Sequence, residues 1–172
     1  GLLRKIVSEL CVKLKLKIGN DFFGGYSPER EDPGNVKFTI KNIPKLCSGL
    51  TPNCKVLVEK FYKIIVKKVY TVKSVEIAET AKLFENTYRS VNIALVNEFK
   101  LLCENLNLNV HNVLNAAATK PFGFTKFNPG PGVGGHCIPI DPYYLSYISK
   151  LNGFTSKFIK ISADINESMP KT

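Results

Sequence analysis

A chain of 172 residues with 44% hydrophobic and 22% charged content is of globular composition, which argues against disorder and leaves room for one good core or two small ones. No stretch approaches the roughly 18 uninterrupted apolar residues of a membrane span, and the N-terminus lacks the pattern of a secretory signal. The net charge of +10, with Lys55, Lys60, Lys63, Lys67, Lys68 and Lys73 close together, allows a nucleic-acid partner. A solvated lysine face is the commoner meaning of such a run, and a basic surface equally suits a small anionic substrate such as a nucleotide. Cys11, Cys47, Cys54, Cys103 and Cys137 are odd in number and contain no C-x-x-C pair, which fits reduced thiols in the cytoplasm. The absence of a starting Met and of a closing signal reads as a piece of a longer polypeptide.

In chain order, Leu3, Ile6, Val7, Leu10 and Cys11 predict one amphipathic helix from Leu2 to about Leu14. "DFFGGYSPEREDPGN" reads as a short strand at its Phe-Phe start, running into a loop. "TPNCKVLVEKFYKIIVKK" predicts a second helix with Thr51 as N-cap and Pro52 in the first turn, and "VYTVKSVEI" a strand or extended connector. This alternation resembles an incomplete α/β sheet.

From about Val75 to Leu106 a long helix is expected, with Phe84, Tyr88, Val91, Leu95, Phe99, Leu102 and Leu106 as a continuous apolar stripe. That stripe calls for a partner, either another helix or a second subunit. On the roughly opposite side Lys82, Asn86 and Arg89 share one line, continued by Ile93 and Val96. The apolar continuation implies that this face is covered too, and a covered polar line needs something polar to contact. A shorter helix is expected from Val110 to about Ala118 with Asn109 as N-cap. Asp141 is expected to cap a further helix with Pro142 at its first position, and "SKFIKISADINES" to form the last helix.

The stretch "FNPGPGVGGHCIPIDPYYL" carries the chemistry. Gly130-Pro-Gly132-Val-Gly134-Gly135 satisfies G-x-G-x-x-G literally, but nothing upstream reads as a buried strand and no helix follows directly, so the dinucleotide fingerprint is refused. A P-loop fails for want of Lys-Ser/Thr. A zinc site from Cys103, His111, His136 and Cys137 matches no familiar spacing, so no metal is expected. A Cys-His protease is equally weak. What remains is Cys137 just ahead of a helix N-terminus, where dipole and free N–H groups favour a thiolate. On cysteine statistics alone, a small buried hydrophobe in a tight turn competes with that nucleophile.

"GYSPEREDPGN" (25–35), "AETAKLFENTYRSVNIALVNE" (78–98) and "PGPGVGGHCIPIDPYYL" (129–145) together closely resemble the NAD-dependent UDP-glucose/GDP-mannose dehydrogenase family. In detail they look like its branch acting on UDP-N-acetylhexosamines. The resemblance implies oxidation of a nucleotide-sugar C6 alcohol to a carboxylate in two steps with NAD. It implies Cys137 as nucleophile, Lys82 and Asn86 as stabilisers of the reacting oxygen, Asp141 beside a water, and Glu29 as acid/base. It further implies substrate contacts from Arg30, Lys82, Asn86, Arg89, Phe127 and Gly134, with Glu29 and Cys137 on the nicotinamide side.

On the same resemblance the fold is α/β plus all-α. Residues 1–74 would be the C-terminal part of a Rossmann-like NAD-binding domain, and 75–172 a central helical domain through which family members form homodimers. The dinucleotide fingerprint and a C-terminal nucleotide-binding domain would belong to the longer protein, and this segment alone is expected not to turn over. UDP-glucose or GDP-mannose specificity stays open, as does a non-catalytic helical association module or basic binder. No nucleic acid and no membrane are expected as partners.

Overall fold

The computed structural model describes residues 2–32 and 34–171, and the chain divides into two compact units, residues 1–82 and 83–172. The division falls inside the long helix.

In the first unit, α1 (Leu2–Leu14) leads to a three-stranded sheet of order β1 (Gly25–Tyr26), β2 (Lys45–Gly49), β3 (Val69–Thr71), with α2 (Pro52–Ile65) between the last two. β1 is antiparallel to β2, Gly25 opposite Gly49. β2 is parallel to β3, Lys45 opposite Val69 and Cys47 opposite Thr71. β2–α2–β3 is thus a β-α-β unit, whose parallel pairing requires the helical crossover.

β2 is buried from Leu46 through Gly49, with no alternation of polar and apolar positions. Nothing in a period-2 pattern marks it, and it has no counterpart among the expected elements. The expected strand at Phe22-Phe23 does not form. Phe22 makes only an isolated bridge with Ile18, because the backbone N–H of Lys17 donates to Asp21 Oδ2 at 2.7 Å and a tight turn takes up these residues.

Thr51 caps α2 as expected, its backbone extended and its hydroxyl oxygen accepting the Cys54 N–H at 3.2 Å, with Pro52 opening the helix. Leu50, Cys54 and Val75 form the core here, with Leu3, Val7, Ile18 and Tyr26 packed against them. Arg4 holds α1 beside the start of the long helix through Glu76 at 2.6 Å. The hydrogen bond from Arg4 pulls the Glu76 carboxyl down to about 2.

α3 (Val75–Asn105) is the long expected helix. It ends where Asn107 takes a positive φ of 54° and the Leu108 N–H reaches back to the Cys103 carbonyl at 2.8 Å. In the second unit α4 (Val110–Ala117) starts at Asn109, whose side chain accepts the Asn112 N–H. α5 (Asp141–Leu151) and α6 (Lys157–Ser168) follow, the latter running into a 3₁₀ turn at Met169–Lys171. Val96, Cys103, Val110 and Leu114 form the apolar core, with Phe99, Val113 and Phe127 against it.

The faces of α3 are disposed differently from the simplest reading of an amphipathic helix. Phe84, Leu95, Leu102 and Leu106 of the apolar stripe are half or more exposed. Asn86, Thr87, Ser90 and Asn97 are buried instead. At about 100° per residue, Asn86, Ser90 and Asn97 fall within about 40° of one another, so one polar ridge faces inward. No buried side-chain nitrogen or oxygen among the described residues lacks a hydrogen-bond partner, which is the condition for such a ridge to be tolerated.

Gly49 ends β2 directly under the first turn of α2, and a Cβ there would lie 2.0 Å from the Lys55 backbone nitrogen. A Cβ at Gly130 would meet nothing within 4 Å. Gly49→Ala is therefore expected to lower the unfolding free energy by about 1–3 kcal/mol and Gly130→Ala to change it by less than about 0.5 kcal/mol. Urea denaturation checks the pair, and equal effects would contradict the close approach.

Candidate active site

The turn Cys137–Ile140 positions the N-terminus of α5. The Cys137 carbonyl accepts the N–H of Ile140 at 3.1 Å and of Asp141 at 2.8 Å, leaving the cysteine exposed. Asp141 is not the N-cap that the sequence led us to expect. Ile140 occupies that position in helical conformation without a side-chain cap bond, so the helix begins at Asp141 and Pro142 is its second residue. The preceding turn has already satisfied the Asp141 N–H, and the carboxylate is directed elsewhere.

It is directed at α3. Asp141 Oδ2 accepts a short hydrogen bond from Asn86 Nδ2 across 55 residues of sequence. Asn86 is buried, and a buried amide hydrogen-bonded to a carboxylate is held in one orientation. An asparagine amide carries two N–H groups and a carbonyl, so this bond leaves a second donor to serve an oxygen. Lys82, one turn earlier on α3, is half-buried.

Arg89 departs from the expectation of a covered polar line: it is exposed, because the inward ridge runs through Ser90 rather than through residue 89. Phe127 is half-buried in the apolar core of the second unit, its ring edge-on to Tyr88 with centroids 6.1 Å apart. Gly134 is exposed, with open space where a Cβ would stand.

In the first unit Glu29 and Arg30 follow β1. Burial pushes the Glu29 carboxyl up, but the Lys45 ammonium at 3.1 Å and the N–H groups of Glu31 and Arg30 outweigh it and hold it below its usual value. Arg30 Nη1 donates to the Pro44 carbonyl at 3.0 Å. Ser27 Oγ donates to the Leu46 carbonyl at 2.7 Å, so three successive contacts anchor the loop to β2 and the residue before it.

Three buried residues of the second unit had drawn no attention in the sequence: Ser90, Asn97 and Asn166. Asn97 Oδ1 accepts the Gly130 N–H at 2.8 Å and its Nδ2 donates to Asn166 Oδ1 at 3.3 Å. Asn166 Nδ2 donates to the Ser90 carbonyl at 3.0 Å. The available signal was spacing, since Ser90 and Asn97 stand four and eleven residues after Asn86. Among the described residues no group of three or more His, Cys, Asp and Glu is placed to hold a metal ion. Nor is any helix among them long and apolar enough to cross a membrane.

The second unit thus carries a glycine-rich loop, an exposed cysteine and an Asn–Asp pair, and the first a β-α-β unit. Residues 76–168 match the model of the UDP-glucose/GDP-mannose dehydrogenase family, central domain, and the chain belongs to that family. It is 41% identical over 155 residues to a UDP-N-acetyl-D-glucosamine 6-dehydrogenase of Pseudomonas aeruginosa, covering 90% of this chain and 36% of the relative. A UDP-N-acetyl-D-mannosamine dehydrogenase of Methanococcus maripaludis is 36% identical over 166 residues, 96% of this chain and 38% of the relative. The solved UDP-D-ManNAc dehydrogenase of Pyrococcus horikoshii superposes with a TM-score of 0.90 at 36% identity, over 99% of this chain and 40% of that one. The chain thus spans well under half the length of these relatives.

Replacing Asn86 by Asp sets two like charges face to face at Asp141. Asn86→Asp is expected to lower the thermal midpoint at pH 7, and the loss to shrink toward pH 4 as the facing pair takes up a proton. The double variant Asn86→Asp, Asp141→Asn should recover most of it. Thermal melts at both pH values check this, and a pH-independent loss with no recovery would contradict the contact.

Proposed function

We propose that the chain is part of an NAD-dependent nucleotide-sugar 6-dehydrogenase, oxidising C6 of a UDP-N-acetylhexosamine to the carboxylate. The observation that carries this reading is the Asn86–Asp141 hydrogen bond, which joins two residues matching separate family motifs beside the loop that presents Cys137. The relatives named for UDP-N-acetylhexosamines favour the acetylated sugars over UDP-glucose or GDP-mannose.

Residues 1–74 are assigned to the end of a Rossmann-like NAD domain, and 75–172 to the central domain. The parallel β2–α2–β3 unit and the absence of room for a Cβ at Gly49 fit one edge of a dinucleotide-binding sheet. Gly130–Gly135 does not suit a pyrophosphate, because the segment lies between α4 and α5 with no strand before it. The residues of this chain that would border the cofactor are Glu29 and Cys137, on the nicotinamide side. NAD+, when bound, supplies the hydride acceptor for both oxidation steps.

The Lys82 ammonium and the Asn86 amide stabilise negative charge on the reacting C6 oxygen, a cation and a preorganised donor being suited to a developing oxyanion. Cys137 Sγ adds to the sugar carbon at the aldehyde level and carries it as a thiohemiacetal, then as a thioester. Asn86 and Asp141 orient the water that hydrolyses the thioester, with Glu29 as acid/base. The Lys45 ammonium and the N–H groups of Arg30 and Glu31 hold Glu29 ionised, the form that can accept a proton, while lowering its basicity. Arg30, Arg89, Phe127 and Gly134 border the sugar nucleotide. A second copy of the chain covers Phe84, Tyr88, Leu95, Leu102 and Leu106, since exposed apolar residues in one stripe mark an association surface. The isolated segment does not turn over, and the longer protein works in the cytoplasm.

Cys137→Ala in the longer protein is expected to reduce NADH production from a UDP-N-acetylhexosamine on the order of 10³-fold or more. Undiminished acid formation would overturn the cysteine's role.

A further inference from the structure

We propose that Asn97 and Asn166 are positioning residues for the sugar-binding loop, fixing the turn Pro129–Gly132 against α3 and α6. The inference rests on the proposed function only for what the loop does once placed; the placement stands on its own.

Asn97 is fully buried and Asn166 and Ser90 are 3% exposed. Their bonds run in one direction: Gly130 N–H to Asn97, Asn97 to Asn166, Asn166 to Ser90, at 2.8, 3.3 and 3.0 Å. Each amide accepts with its oxygen and donates with its nitrogen, so neither can flip without setting donor against donor or acceptor against acceptor. Pro129 and Pro131 have no N–H, which makes Gly130 the sole backbone donor of that triplet. Its single proton is spent on Asn97.

The other end of the turn is fixed by the same residue of α6. Gly132 has φ of +107°, and a Cβ there would stand 2.5 Å from the Asn166 carbonyl oxygen. Asn166 thus meets the loop directly at Gly132 through its backbone and indirectly at Gly130 through Asn97. Asn97 lies eleven residues from Asn86 on the inward ridge, so the helix that orients the Asn86 amide also sets the register of the loop leading to Phe127 on one side and Cys137 on the other. Apolar residues at positions 97 and 166 would leave the Gly130 N–H without its acceptor.

Two measurements test this. In the chain itself, the Gly130 amide followed by NMR hydrogen exchange should be protected, and Asn97→Ala or Asn166→Ala should remove that protection while α3 amides keep theirs. Asn97→Asp retains an acceptor for the Gly130 N–H but sets a second oxygen against Asn166 Oδ1, so its protection should lie between that of the unaltered chain and that of Asn97→Ala. In the longer protein, either alanine variant should raise KM for the nucleotide sugar about tenfold, as for loss of one hydrogen bond, and leave KM for NAD+ within about twofold. The two alanine changes together should do little more than either alone. A merely structural role would lower kcat through the active fraction and leave both KM values in place. That result, or an unprotected Gly130 amide in the unaltered chain, would overturn the proposal. A longer protein inert toward every nucleotide sugar would remove the proposed function, and the exchange result would still decide the positioning.

Discussion

The second unit hangs on a polar ridge turned inward. Asn86, Ser90 and Asn97 occupy the buried face of α3, where each amide must find a partner or cost about 1–3 kcal/mol of desolvation. The partners are the start of α5 through Asp141, the glycine-rich loop through Gly130, and α6 through Asn166. One helical face therefore places three separate segments. An apolar face would pack as tightly but would not select one register, because dispersion contacts are non-directional and hydrogen bonds are not.

The same ridge explains why the apolar stripe faces outward. Phe84, Leu95, Leu102 and Leu106 expose half or more of their surface, an arrangement that leaves a contiguous apolar strip on the helix. On this 31-residue helix the polar residues face the interior of the second unit and the apolar ones are exposed.

The helices were legible because their periodicity and caps are local. Thr51 and Asn109 cap where their hydroxyl and amide predict, and α3 ends within a residue of expectation. β2 was not legible, since a strand buried from Leu46 to Gly49 shows no alternation. Asp141 was misassigned as a cap because the turn at Cys137–Ile140, which satisfies the helix start, has no sequence signature. The residues matching family motifs could be named from the chain alone, but that Asn86 meets Asp141, and that Asn97 meets Asn166, are long-range facts that only the fold supplies. Arg89 shows the limit of a helical wheel: it shares an arc with Asn86 and is nonetheless exposed.

In the proposed reaction Cys137, on a loop held by α3, takes the sugar covalently. The most direct measurement is rapid quenching of the longer protein with NAD+ and a UDP-N-acetylhexosamine, followed by mass mapping of the Cys137 peptide. A mass increment matching the nucleotide-sugar acyl group is expected on that peptide, appearing and decaying within the course of turnover. Carboxylate formation with the Cys137 peptide unmodified at every time point would contradict it.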